Sequence, residues 1–173
     1  MAGDDLRRKP WQPFEIDNHN YLLKSAFTED SYEILCYDMT TLWYEKCDMK
    51  NLKKITKKLN PSVEMPLPRL LTHLESTIES QQDTVKYTVQ KTDDNKLVVS
   101  MDSDLTKGVP FTWQFQCQTA NAMLASHVTI PLLIMVTELQ RRTEQLQRII
   151  KTKDSEIEDY KLGGARVSRS KSM

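Results

Sequence analysis

The sequence predicts an α+β protein: an antiparallel β-sandwich head with a helical insertion, followed by a long dimerising coiled-coil helix. Three observations predict it. From Val109 to Cys117 every odd position is apolar and every even one, apart from Pro110, is polar, the period of a half-buried strand. Leu67, Leu70, Leu71, Leu74 and Ile78 recur instead at helical spacing, between two strand-forming regions. From Leu132 onward apolar residues return at heptad spacing with a polar opposite face. The expected organisation is a head over residues 1–118 with its helical insertion at about 39–80, a coiled-coil segment over 119–162, and a disordered, basic, serine-rich tail over 163–173.

In chain order, Trp11 to Ile16 reads as a short extended edge, because Pro13 cannot donate into the middle of a sheet. Tyr21 to Phe27 and Tyr32 to Asp38 read as a hairpin around the turn residues Thr28-Glu29-Asp30-Ser31. Met39, Leu42, Trp43 and Cys47 then suggest a first helix with Asp38 as its N-cap. Asn51 to Leu59 sets Leu52, Ile55 and Leu59 against Lys53, Lys54, Lys57 and Lys58, an amphipathic turn or two with a basic outer face. Pro61, Pro66 and Pro68 break the chain before the leucine-rich helix. Thr84 to Lys91 and Lys96 to Met101 read as strands joined by the turn Asp93-Asp94-Asn95.

The stretch Asn121 to Tyr160 reads as one helix of roughly 60 Å. Leu132, Leu139, Leu146 and Tyr160 share one heptad position; Val136, Ile150 and Ile157 lie four residues on, with Met135 and Ile149 beside them. Such a seam calls for a partner helix, and a homodimer is expected; a helix lying along its own head is the alternative. Thr143 and Lys153 interrupt the seam, and Pro131 is expected to kink the helix near its start.

Composition excludes several classes. Lys plus Arg equals Asp plus Glu at 24 each, so net charge does not signal a nucleic-acid protein. The odd, scattered Cys36, Cys47 and Cys117 suit buried free thiols in a reducing compartment. The N-terminus lacks a signal-peptide core and no eighteen-residue apolar run is expected, which predicts a soluble, intracellular chain without membrane contact. His19, His73 and His127 lack metal-ligand spacing, and Gly3, Gly108, Gly163 and Gly164 make no phosphate-binding loop. The acids at Asp93-Asp94, Asp102 and Asp104 read as turn formers, so no catalytic residue, metal or cofactor is expected. The lysines between 53 and 58 fit either a solvated helix face or a contact with phosphate or an acidic partner. Arg166, Arg169 and Lys171 fit weak, salt-sensitive, sequence-independent DNA binding.

Four segments resemble the XLF (Cernunnos) family of non-homologous end-joining factors. They are Leu22-Leu23; Asp38-Met39-Thr40-Thr41-Leu42-Trp43-Tyr44-Glu45, similar to D-L-x-x-V-W-x-E; Gly108 to Cys117, similar to G-L-P-F-Y-W-N-F-H-C; and Lys153 to Tyr160, similar to K-D-L-E-I-Q-D-Y. The resemblance implies a nuclear, non-catalytic homodimer in DNA double-strand break repair. Its head would bind the head of the homologous scaffold that carries DNA ligase IV, so that alternating heads bridge and align DNA ends. The head contact would then involve Val109, where the family has leucine, with Phe111, and Val63, with Lys57 and Lys58 substituting for a basic pair absent beside Asn60. Valine is smaller than leucine by a methylene, about 0.8 kcal/mol if fully buried, so a weaker contact is expected. The family's Ku-binding terminal motif has no match among the eight residues after Ala165, so a Ku contact is expected only of a longer form. The same architecture also resembles centriolar cartwheel proteins, which makes a cytoskeletal scaffold the alternative.

Overall fold

The computed structural model describes residues 4–82, 84–92, 95–106 and 108–170, of which 4–5 and 164–170 are described as backbone alone. A short helix α1 (Asp4–Arg7) precedes strands β1 (Gln12–Ile16), β2 (His19–Phe27), β3 (Tyr32–Tyr37) and β4 (Leu42–Cys47). Helices α2 (Met49–Leu59) and α3 (Leu67–Ser80) follow, then strands β5 (Lys86–Thr92), β6 (Lys96–Asp104) and β7 (Pro110–Thr119). A 3-10 turn at Asn121–Met123 and a π turn at Ala125–Thr129 lead into α4 (Ile130–Ser170).

The strands form one antiparallel sheet in the order β1-β2-β3-β4-β7-β6-β5. Its two halves are joined only where Trp43 opposes Thr119 and Tyr44 opposes Gln118. That narrow seam lets the four-stranded and three-stranded halves curl over a common core. The outer strands β1 and β5 meet again across it: Phe14 and Tyr87 pack edge to face at 4.8 Å, and the Val89 N–H lies 3.4 Å from Asp17 Oδ2. The predicted sandwich is therefore a single, nearly closed sheet. Pro13 lies on edge strand β1, paired with Leu22 on one side only. The β1–β2 turn, not foreseen, is Asp17-Asn18 with φ of 51° and 61°, the twist that a two-residue hairpin favours.

Inside the curl, Trp113 and Phe115 from β7 meet Tyr32 from β3, and Phe111 stacks on Trp113. Helix α3 covers them with Leu70, Leu71, Leu74 and Ile78, and α2 adds the fully buried Leu52. A second, smaller cluster on the other face joins Leu6, Ala26, Leu35 and Leu42, flanked by Trp11, Tyr44, Met123 and Leu124.

One predicted element is wrong. Residues 39–47 are not a helix: β4 occupies Leu42–Cys47, and the helical insertion begins at Met49. Leu42 is buried in one cluster while Trp43 and Cys47 are buried in the other. A strand covered on both faces shows no apolar alternation, and its residues fell at helix-like spacing by coincidence. Asp38 holds a tight turn instead of capping a helix, its Oδ1 accepting from the Thr40 and Thr41 N–H at 3.0 and 2.7 Å, with Met39 at φ 69°. The N-cap is Asp48, which accepts from the Asn51 N–H at 2.8 Å and opens α2.

The C-terminal unit begins at Val128. Pro131 falls at the second residue of α4, directly after the π turn, so its missing N–H coincides with an already widened ladder. The helix continues through Gly163 and Gly164 to Ser170, past the glycine pair at which the sequence reading ends it; glycine costs a helix only about 1 kcal/mol. The turn residues Asp93 and Asp94, and Lys171 in the tail, lie outside the described residues.

Candidate protein-docking surfaces

The geometry of the head surface starts with β7. Phe111, Trp113, Phe115 and Cys117 all point inward and are essentially fully buried. Val109 has the same parity but precedes the strand. Gly108, at φ 86°, turns the chain there, and the Val109 N–H and carbonyl are tied back to Thr106 and Leu105. The side chain is left 40% exposed, one of few large apolar groups open on the head. Phe111, expected in the contact surface, is instead core: it stacks on Trp113 at 6.1 Å and meets the His73 ring edge-on at 5.2 Å. Strand alternation forces it inward.

Asn60, which the sequence reading passed over, caps α2 and locks it to β7. Its amide donates to the Thr112 carbonyl at 2.8 Å and accepts from the Thr112 N–H at 3.0 Å. This fixes the end of α2 three residues, about 10 Å of strand, from Val109. Beside it, between α2 and α3, lies an open groove of about 850 Å³, lined by Met49, Lys53, Lys57, Val63, Met65 and Leu67 among others. Val63 and Lys57 thus share one groove. Lys58 does not: it lines a separate, more polar cavity of about 580 Å³ with Glu45, Lys54, Gln116 and Gln118.

Glu45 fills the gap where β4 and β7 part. Tyr32 donates its hydroxyl to Glu45 Oε2 at 3.1 Å, and the Trp113 indole in turn donates to the Tyr32 oxygen. Burial outweighs these bonds and the Gln116 N–H, pushing the Glu45 carboxyl up to about 7. Because its folded pKa exceeds the unfolded one, Glu45 favours folding below about pH 4.5, and that contribution is lost as pH rises through about 7. Glu45→Gln should therefore raise stability at pH 8 by up to about 3 kcal/mol and leave it unchanged near pH 4. Thermal melts at the two pH values check this; equal shifts at both would contradict it.

The remaining side chains provide little for catalysis. Cys36, Cys47 and Cys117 are free and buried, and burial pushes the Cys36 and Cys47 thiols up to about 12, far from thiolate at neutral pH. His73 is held by Ser103 Oγ at 3.0 Å, and burial lowers its pKa. Among the described residues no three His, Cys, Asp or Glu are grouped to hold a metal ion.

On α4, Leu132, Met135, Val136, Leu139, Leu146, Ile149, Ile150, Ile157 and Tyr160 are all exposed, as are Leu133 and Ile134. Glu138 pairs with Arg141 and Arg142 at 2.8 and 2.7 Å on the polar side. Against expectation, the helix between Asn121 and Gly163 contains an 18-residue window of mean hydropathy 1.6, long and apolar enough by those measures to cross a membrane. No Asp, Glu, Lys or Arg occurs from Ala120 to Thr137, a run that includes the polar Asn121 and His127 and the helix-breaking Pro131. Its first part belongs to the head, where Met123 and Leu124 pack on the second core cluster and His127 is buried. Arg166 and Arg169 lie in the last turns of α4.

Family comparisons cover both units. The model described as the XLF N-terminal domain matches residues 10–119, and that of the XLF protein coiled-coil region matches residues 120–168. Non-homologous end-joining factor 1 of Danio rerio is 30% identical over 96% of this chain and 56% of its own length. Its Mus musculus counterpart is 28% identical over 96% of this chain and 58% of its own. The chain thus spans little more than half the length of these curated relatives. The head domain of human CCDC61 superimposes with a TM-score of 0.54 at 10% identity, covering 64% of this chain and 95% of that one, a likeness of fold alone. With family matches running without a gap from the first strand to the end of the apolar helix, the chain belongs to the XLF family.

Proposed function

We propose that this chain is a non-catalytic scaffold factor of DNA double-strand break repair by non-homologous end joining. In this reading α4 pairs with a second copy along the Leu132–Tyr160 seam, and the head docks on the head of the scaffold that carries DNA ligase IV. Nuclear location, sequence-independent DNA contact through Arg166, Arg169 and Lys171, and a Ku contact in any longer form belong to the same reading. The observation that carries it is Val109, an exposed apolar side chain on a hydrogen-bonded turn within a segment that matches the family model. Val63 and Lys57 share the neighbouring groove and extend the surface; Lys58 faces away from it.

Light scattering of the chain alone and mixed with the ligase IV scaffold tests this. A dimer alone and larger alternating assemblies in the mixture are expected. Val109→Asp should weaken assembly at least about a hundredfold, since it loses apolar burial worth about 1.5–3 kcal/mol and buries an unpaired carboxylate. Head-to-head self-association without response to the scaffold would favour a cytoskeletal role instead.

A further inference from the structure

From Met49 to Val63 the chain contains no acidic residue, yet α2 alone carries Lys50, Lys53, Lys54, Lys57 and Lys58. All five are exposed, on the side opposite the fully buried Leu52, and among the described residues none is in an ion pair. In a chain of zero net charge this concentrates positive potential on a ridge about 12 Å long. Folding does not account for it. Lys50 and Lys53 lie in the N-terminal half, where the helix dipole disfavours cations, and Lys50/Lys54, Lys53/Lys57 and Lys54/Lys58 are like-charge pairs at i,i+4. A bound polyanion relieves both costs.

We propose that this lysine ridge, led by the row Lys50, Lys54 and Lys58, is a sequence-independent binding surface for the phosphate backbone of duplex DNA. The proposal rests on the end-joining reading and adds a DNA contact on the head, separate from the C-terminal basic residues. The row rises beside the polar cavity, whose walls include Asn51, Gln116, Gln118 and Thr119, uncharged groups suited to phosphate and sugar oxygens. Of the nearby acids, Asp48 is engaged with the helix N-terminus, and Glu45, which lines the same cavity, accepts the Tyr32 hydroxyl. Glu64 lies across the apolar groove, on the other side of the helix from Lys54 and Lys58. An acidic peptide would need an apolar anchor, and that groove adjoins Lys53 and Lys57 rather than this row.

The test is anisotropy of a labelled duplex of arbitrary sequence, titrated with the full chain from about 50 to 200 mM salt. The variant Lys50→Gln/Lys54→Gln/Lys58→Gln keeps helix propensity, and its melt should match wild type. It should bind at least about tenfold more weakly at low salt and lower the slope of log affinity against log salt by about 2 to 3. Replacement of the same three by arginine should restore both. An unchanged slope in the glutamine variant, or a wild-type chain that binds polyglutamate but not the duplex, overturns the proposal. The same variant mixed with the ligase IV scaffold separates the two ideas. Retained assembly with unchanged DNA binding overturns only the ridge; a wild-type chain indifferent to the scaffold whose DNA binding is lost in the variant overturns only the docking reading.

Discussion

Replacing Asp38 by alanine is expected to cost the head about 2–4 kcal/mol, a large share of the 5–15 kcal/mol that a domain holds. One buried carboxylate there satisfies five donors. Oδ1 accepts from the Thr40 and Thr41 N–H groups and from Thr40 Oγ1, while Oδ2 accepts from the Trp43 indole at 3.1 Å and from Lys91 Nζ at 2.6 Å. Alanine frees the β3–β4 turn and strands the indole of Trp43, which is only 5% exposed. Lys91 is half exposed and returns to water, so the loss comes from the turn and the indole more than from the ion pair. Asp38→Asn keeps an acceptor for the turn and should cost only about 1–2 kcal/mol. Burial disfavours the Asp38 charge, but the bonds from Lys91, Thr40, Thr41 and Trp43 outweigh it and hold the carboxyl well below the usual range. Its stabilisation is thus present above about pH 4 and lost as pH falls below. Denaturant melts at pH 7 and pH 3 should show the gap between wild type and Asp38→Asn narrowing in acid, where the contribution begins to fall toward the depressed folded value; a constant gap would refute the assignment.

Asp38 also marks the limit of what the sequence reveals. An aspartate before an apolar run signals a helix N-cap or an Asx turn equally well. The choice depends on whether Leu42 and Trp43 meet one core or two, and two cores on opposite faces of β4 arise only when α1 and the 3-10 turn cover the outer side. Nothing local to residues 39–47 encodes that. Strand β7 was legible because one of its faces is less buried than the other, and α3 because its stripe faces a single core. Val109 was legible only through the family motif, since alternation alone places it with Phe111 in the interior. The groove between α2 and α3 was not legible: Asn60, which lines it, pairs with Thr112, 52 residues away in sequence. The Glu45 site likewise needs β4 and β7 to part after a two-residue pairing, a property of the sheet's curl.

Leu139→Asp with Leu146→Asp should convert the dimer proposed for this chain to monomers while leaving the head's melting unchanged. The two leucines are 56% and 59% exposed on the single helix, one heptad apart, and α4 has no other means of removing them from water along its own length. Pairing in a parallel coil buries four such side chains, each worth about 1.5–3 kcal/mol, and the substitution sets carboxylates against carboxylates in their place. Even half of the lower bound lost would weaken association by about two decades. The seam has little reserve, because Thr143 and Lys153 already occupy two of its positions and the Glu138 ion pairs are solvent-exposed. Glu138→Gln should accordingly leave association nearly unchanged. Sedimentation of wild type and both variants at micromolar concentration decides the matter. A dimer that survives the paired aspartates would assign the exposed apolar run of residues 130–136, rather than the heptad seam, as the surface that holds two copies together.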